Sequence, residues 1–144
     1  MRTVEIVVYG DPVPQGRPRF STVGGYPRAV DPQKSRNYKQ LVRFWVTQRL
    51  KKIEGWKPFE NAVIAELNFY LPIPISWTKK KRIEAANGVI RPISKFDADN
   101  LYKSVTDACT GLLWKDDGQI TDVTIRKRYT AELARVEIKV TEVE

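Results

Sequence analysis

Ala62-Val63-Ile64-Ala65-Glu66-Leu67-Asn68-Phe69-Tyr70-Leu71 is the stretch on which the fold turns. Successive side chains on a strand point to opposite faces, so Val63, Ala65, Leu67 and Phe69 fall on one inward face. Pro72 and Pro74 end the run. Two other segments share this character. Residues 3–9, Thr-Val-Glu-Ile-Val-Val-Tyr, are rich in β-branched side chains, and Val136, Ile138 and Val140 alternate strictly near the C-terminal end. After the Asp116-Asp117-Gly118 turn, residues 119–129 and 133–142 are expected to pair as a hairpin.

Between these strands the apolar period lengthens. Tyr38, Leu41, Val42, Trp45, Val46 and Leu50 recur at helical spacing over residues 32–52, with Pro32 suited to the first turn. The opposite face of that helix carries Lys34, Arg36, Lys39, Arg43 and Arg49. A second helix is expected over 99–113, where Leu101, Val105, Ala108 and Leu112 form the apolar stripe. Ser76 is placed to cap a short helix over 77–86, closed by Gly88 and followed by a brief extended piece, 89–93. Residues 10–31 read as a long basic loop, because prolines and the Gly24-Gly25 pair interrupt any ladder. Connections of that length are usually functional or disordered. The expected architecture is α+β, a small mixed, mostly antiparallel sheet with two main helices on one face. Nothing divides it, so residues 1–144 are expected to form one domain.

Lys and Arg total 25 against 17 Asp and Glu, a formal charge of +8 with pI near 9.7, which favours a polyanionic partner, nucleic acid first. No stretch approaches the roughly 20 apolar residues of a membrane span. The opening residues lack the apolar block of a secretory signal, so a cytoplasmic location is expected. The chain has no His, which excludes a Ser-His-Asp triad, a His-ligated zinc and an imidazole base. Its single cysteine, Cys109, can form neither an internal disulfide nor a zinc cluster, and is expected to be a small buried hydrophobe. Acid–base or metal chemistry must therefore rest on carboxylates and lysines.

Those residues concentrate in Lys95-Phe96-Asp97-Ala98-Asp99-Asn100-Leu101-Tyr102-Lys103-Ser104-Val105-Thr106-Asp107. Asp97 and Asp99 lie two apart at the end of an extended piece, where β geometry points them the same way. Asp99, Lys103 and Asp107 then follow at i, i+4, i+8 on one polar helix stripe. Carboxylates brought close together either raise their pKa values or bind a cation. Mg²⁺ takes oxygen ligands, a few carboxylates with waters and substrate phosphate, and suits phosphodiester hydrolysis. The same residues have a structural reading: Asp99 as a helix cap, Asp97 in a turn, the ladder as a solvated face, and Asp116-Asp117-Gly118 as ordinary turn chemistry.

The pattern Asp97-x-Asp99-Asn100-x-x-Lys103-x-x-x-Asp107-x-x-x-Gly111, then Asp116-Asp117-x-Gln119, resembles the signature of the RusA family of crossover-junction endodeoxyribonucleases, small enzymes often carried by prophages. The likeness spans about residues 95–125, and Pro12-x-Pro14-Gln15-x-Arg17-Pro18-Arg19 is similar to the basic opening of many members. The resemblance implies a homodimer that binds four-way (Holliday) junctions and cuts two strands symmetrically with Mg²⁺, or Mn²⁺ in its place. Asp97, Asp99 and Asp117 match the metal-binding positions and Lys103 the catalytic lysine. Asp116 is left open beside Asp117. Asn100, Asp107 and Gln119 match supporting positions that orient ligands or the helix.

Arg17, Arg19, Lys79, Lys80 and Arg126 are the expected DNA contacts, each with a solvated surface as its bland reading. Strand alternation would split Arg126-Lys127-Arg128 between two faces. Phe20, Tyr26, Trp77 and Trp114 are candidates to stack on unpaired bases, against ordinary packing. The rival functions are a nuclease for flaps, forks or other branched DNA, and a junction-binding protein without catalysis.

Overall fold

The computed structural model describes residues 1–93 and 96–144, with Arg19 described in its backbone alone. The elements in chain order are β1 (Thr3–Tyr9), β2 (Arg19–Ser21), β3 (Arg28–Val30), α1 (Gln33–Leu50), β4 (Val63–Pro72), α2 (Lys79–Ala86), α3 (Ala98–Cys109), a 3₁₀ turn (Asp117–Gln119), β5 (Ile120–Thr130) and β6 (Arg135–Glu142). This is an α+β fold on a four-stranded mixed sheet of order β1-β6-β4-β5. Strand β6 runs antiparallel to both β1 and β4, while β4 and β5 are parallel. None of the described helices is long and apolar enough to cross a membrane.

Strand β4 alternates without a fault: Val63, Ala65, Leu67, Phe69 and Leu71 are buried, and Ile64, Glu66, Asn68 and Tyr70 point the other way. Burying each large apolar side chain stabilises by about 1.5–3 kcal/mol. The same face collects Val4, Ile6 and Val8 from β1 and Val136, Ile138 and Val140 from β6. Tyr38, Val42, Val46 and Leu50 of α1, with Leu101, Val105, Ala108 and Cys109 of α3, cover it.

The expected hairpin between residues 119–129 and 133–142 does not form. Strand β4 lies between β5 and β6. Neighbouring strands are about 4.8 Å apart, so stepping over one strand spans roughly 10 Å. The link of residues 131–134 is long enough at about 3.3 Å per residue. The strand with the more apolar inward face takes the centre. Strand β5, with Asp122, Arg126, Lys127 and Arg128, takes the edge, where charge also discourages pairing with another chain.

Several local boundaries also shift. Helix α3 ends at Cys109 rather than 113, so Leu112 packs from the following turn. Thr106 and Thr110 hydroxyls donate back to the carbonyls of Tyr102 and Thr106, and Gly111 at φ 93° turns the chain, its N–H donating to the Trp114 carbonyl. Helix α2 starts at Lys79 and its cap is Thr78, whose hydroxyl accepts the Lys81 N–H, instead of Ser76. Gly88 closes it as expected, at φ 81°. Residues 89–93 join neither sheet. The 10–31 loop is not wholly irregular, since β2 and β3 pair as a small antiparallel ribbon.

A carboxylate fastens one end of the sheet. Glu142 Oε2 accepts the N–H groups of Glu60 and Asn61 at 2.9 and 3.1 Å, and Oε1 accepts from Arg2 Nε at 3.2 Å. Arg2 in turn lies over the Phe59 and Trp56 rings. The N–H groups of Asn61 and Glu60, more than Arg2, hold the Glu142 carboxyl below the ordinary glutamate range. A depressed folded-state pKa contributes stability above the unfolded value that is lost as pH falls through the folded one. Glu142→Gln is therefore expected to cost about 1–3 kcal/mol near pH 7. Its denaturant midpoint should fall less than that of the parent as pH drops below 4.5, and an equally steep acid loss in both proteins would remove Glu142 from this role.

Cys109 is buried, as expected, and burial pushes its thiol up to about 12. Burial also raises the Tyr38 hydroxyl. With folded pKa values above the unfolded ones, this stability is complete at neutral pH and is lost on the alkaline side, starting near the ordinary thiol value of 9.0. Cys109→Ala should unfold at lower urea at pH 7 yet lose less of its midpoint between pH 8 and pH 10.5. The native thiol should resist alkylating reagents until the protein unfolds.

Candidate active site

The connection between the parallel strands β4 and β5 carries α2 and α3 across the sheet, and α3 brings the acidic residues with it. Leu101, Val105 and Ala108 are fully buried, so the remaining stripe of Asp99, Lys103 and Asp107 faces outward. Asp97 occupies the cap position, its carbonyl accepting the Leu101 N–H, but its side chain makes no capping bond. Among the described residues, the carboxylates of Asp97 and Asp99 have no hydrogen bond or ion pair. Both are exposed at the positive end of the helix dipole, which favours anions there.

A helix start, and not an extended strand, relates Asp97 to Asp99. Phe96 has φ 57°, a left-handed conformation that is strained for a bulky side chain, and Lys127 Nζ donates to its carbonyl at 2.9 Å. Strand alternation therefore does not govern where the two carboxylates point. The structural reading of Asp99 as the cap gives way to Asp97 in that position.

Asp116 and Asp117 divide their tasks. Asp116 Oδ1 accepts the Gly118 N–H at 3.1 Å, and Gln119 Oε1 accepts the N–H groups of Lys115 and Asp116. Gln119 Nε2 donates to the carbonyls of Phe59 and Asn61, tying this turn to the entrance of β4. Asp116 is thus used as a cap, with its carboxyl held low first by the Gly118 N–H. The Asp117 carboxyl is held above the usual range, by its hydrogen bond with Asp116 first, then by burial and the charges of Asp116 and Asp107. The charge of Asp117 also raises the Tyr102 hydroxyl, after burial. The turn thereby places Asp117 within electrostatic reach of α3.

Beside this stripe lies a cleft of about 390 Å³ lined by Gln15, Arg17, Asp31, Lys39, Asn100, Lys103 and Asp107 among others. Its floor is an ion-pair bridge. Lys39 Nζ is 2.9 Å from Asp31 and 3.4 Å from Asp107, and its side chain is only 13% exposed. The Lys39 ammonium holds the Asp31 carboxyl below its ordinary range. Helical spacing puts Lys39 on the basic face of α1 with Lys34, Arg36, Arg43 and Arg49, and carries no signal for Asp31. Asp107 lies 68 residues from Lys39, so no local spacing signals their pairing.

The expected DNA contacts scatter. Arg17 is exposed on the rim of the cleft with Lys103, so those two come together. The side chain of Arg19 lies outside the described residues. Lys79 and Lys80 stand exposed in the first turn of α2, on a separate groove side of the molecule. Arg126 pairs with Glu66 at 3.9 Å and Asn68 at 3.4 Å, on the sheet face away from α1 and α3, so it does not join the acidic residues. Lys127 instead reaches Phe96, and the trio is split between faces as expected. Trp114 is buried and donates its indole N–H to Thr110, while Trp77 stacks edge-on against Tyr129 under Lys81. Phe20 and Tyr26 remain exposed.

No three carboxylates among the described residues are gathered closely enough to hold a metal ion by themselves. The donor set nevertheless fits a hard cation. Asp97 and Asp99 are exposed oxygen donors not consumed by the protein, and Asp117 is exposed beside Asp116, which takes the capping role. Mg²⁺ needs only a few such ligands when waters and substrate phosphate complete its shell.

The comparisons with known proteins agree with this picture at the level of the family. Residues 9–141 match the family model described as endodeoxyribonuclease RusA. A Bacillus subtilis (strain 168) protein called "Uncharacterized protein YqaN" is 39% identical over 145 residues, covering 99% of both chains. The match takes in the β1 end, the basic arm, the acidic helix, the Asp116-Asp117 turn and nearly all of β6, and on it this chain belongs to the RusA endodeoxyribonuclease family.

Proposed function

We propose that this chain is a Mg²⁺-dependent endonuclease that resolves four-way DNA junctions by paired, symmetric phosphodiester hydrolysis. The observation that carries the reading is the outward stripe of α3, where Asp99, Lys103 and Asp107 stand by a cleft that also holds Arg17 and Lys39, and Asp117 returns within electrostatic reach. The family supplies the reaction class, hydrolysis of DNA within a strand.

Asp97, Asp99 and Asp117 hold the metal in this proposal. Mg²⁺, or Mn²⁺ in its place, held by these carboxylates would supply a Lewis acid for water activation and charge neutralisation at the phosphate. Lys103, an exposed ammonium on the same stripe, stabilises the charge that develops on the phosphoryl oxygens. Arg17, across the cleft, holds a neighbouring phosphate and so positions the strand without reading its sequence. Lys39 pairs with both Asp107 and Asp31 and offsets one of their two negative charges, which weakens their repulsion of the DNA. Arg19 adds a phosphate contact near Arg17, and Lys79 and Lys80 add others from their separate groove. A four-way junction has two-fold symmetry, so a homodimer with two such sites makes both cuts in one encounter.

Cleavage of an immobile synthetic four-way junction, beside a matched linear duplex, tests the assignment. Wild type should cut the junction at paired symmetric positions with Mg²⁺ or Mn²⁺, and EDTA should stop it. Asp99→Asn and Lys103→Met should each lower the single-turnover rate by about 10²–10³-fold, with junction binding in Ca²⁺ retained. Junction affinity should also fall steeply between 50 and 200 mM salt. Preference for flaps or forks would move the substrate class, and equal cutting of linear duplex would make it a general nuclease. Tight binding with no cutting in any metal would leave a junction-binding protein.

A further inference from the structure

Apart from Arg19 at its base, the β2–β3 ribbon has no part in the proposed chemistry. It makes its own hydrogen bonds: Phe20 faces Ala29 in the ladder, Gly25 N–H donates to the Thr22 carbonyl, and Arg28 Nη2 donates to the Val23 carbonyl at 2.9 Å. Gly24 and Gly25, at φ 88° and 85°, make the turn that joins the strands. Every residue from 22 to 30 is exposed, and Phe20, Val23 and Tyr26 are 82%, 74% and 75% exposed. Two three-residue strands are marginal by themselves, and three large apolar side chains left in solvent within seven residues suit a contact surface.

The feet of this ribbon are anchored. Before it, Gln15 N–H donates to the Asn100 carbonyl at 2.9 Å and Gly16 N–H to the buried Ser35 hydroxyl at 2.8 Å. After it, Asp31 accepts from Gln15 Nε2 and from Lys39, which also holds Asp107. The packing at Gly16 is so close that a Cβ there would lie 2.8 Å from Pro32 Cγ. Both feet are therefore pinned to α1 and to α3, the helix that carries Asp99 and Lys103.

Charge selects the occupant. Residues 12–30 contain Arg17, Arg19 and Arg28 and no carboxylate. Two copies of so basic an arm repel each other, whereas a phosphate backbone attracts it. Exposed aromatic rings on a basic element suit stacking on bases. In an intact duplex those faces are already stacked, but at a branch point they are not. We propose that the 19–30 ribbon is a DNA-engaging arm whose Phe20 and Tyr26 stack on unpaired bases at the branch point, registering the junction against the α3 site. The inference rests on the reading that this site acts on branched DNA.

Site-specific photocrosslinking tests it directly. Phe20→p-benzoylphenylalanine and Tyr26→p-benzoylphenylalanine, irradiated with a four-way junction in Ca²⁺, should crosslink within two nucleotides of the branch point. The double variant Phe20→Ala/Tyr26→Ala should keep the wild-type melting temperature, because both side chains are exposed. It should bind the junction about tenfold more weakly and bind linear duplex unchanged. Its junction cleavage should fall by a similar factor and recover on a junction with two nucleotides already unpaired at the centre. Crosslinks confined to the duplex arms, or unaltered junction binding by the double variant, would overturn the proposal. So would crosslinks to a second copy with loss of the dimer in sedimentation, which would make the ribbon an interface between subunits. Branch-point crosslinks without cleavage by wild type in any metal would uphold the arm and sink the nuclease reading instead.

Discussion

The inward face of β4 is the constraint around which this molecule is arranged. Val63, Ala65, Leu67, Phe69 and Leu71 are all buried, and only a central strand is covered along that whole length. Placing β4 between β6 and β5 makes one neighbour antiparallel and the other parallel. Parallel neighbours cannot be joined by a tight turn, so the chain must cross the sheet between them. That crossing contains α3. The acidic helix reaches the face of the sheet because β4 and β5 run the same way.

Amphipathicity then separates stability from chemistry on a single helix. One stripe of α3 is spent on the core, through Leu101, Val105, Ala108 and Cys109, and the other presents Asp99, Lys103 and Asp107. The arrangement gives the proposed catalytic groups a rigid backing without burying their charges. The groups nearby are not equivalent. Asp116 and Gln119 hold the backbone of the turn, while Asp117 stays exposed, near enough to α3 for the charge of Asp107 to raise its carboxyl. Lys39 is largely removed from solvent between Asp31 and Asp107, where an unpaired ammonium would be costly. It joins the basic arm, α1 and α3 at one point, so the positions of Arg17 and Lys103 are mechanically linked.

Much of this was legible in the residues. Period-two and helical patterns located β1, β4, β6, α1 and the body of α3, since burying one face demands those periods whatever the topology. The D-x-D-N pattern with Lys103 and the later Asp pair marked the family, because the motif's spacing survives in one short segment. Strand order was not legible. Residues 119–142 look like a hairpin by length and turn chemistry, and only competition among strands for the central position moves β4 between them. The helix end at Cys109 depended on hydroxyl back-bonding by Thr106 and Thr110 and on the turn at Gly111, which a periodic apolar stripe does not register.

By itself the sequence determined the class of elements, the apolar faces, the absence of imidazole chemistry and the acidic and basic residues available to a site. Those are properties of composition and of short-range spacing. The tertiary structure alone decided that Lys39 bridges Asp31 and Asp107, that Arg126 faces away from α3, and that the β2–β3 ribbon stands on feet fixed to the acidic helix. Each of these joins residues far apart in the chain, or depends on which sheet face a side chain takes. Such pairings follow from how the elements pack, which local sequence does not encode.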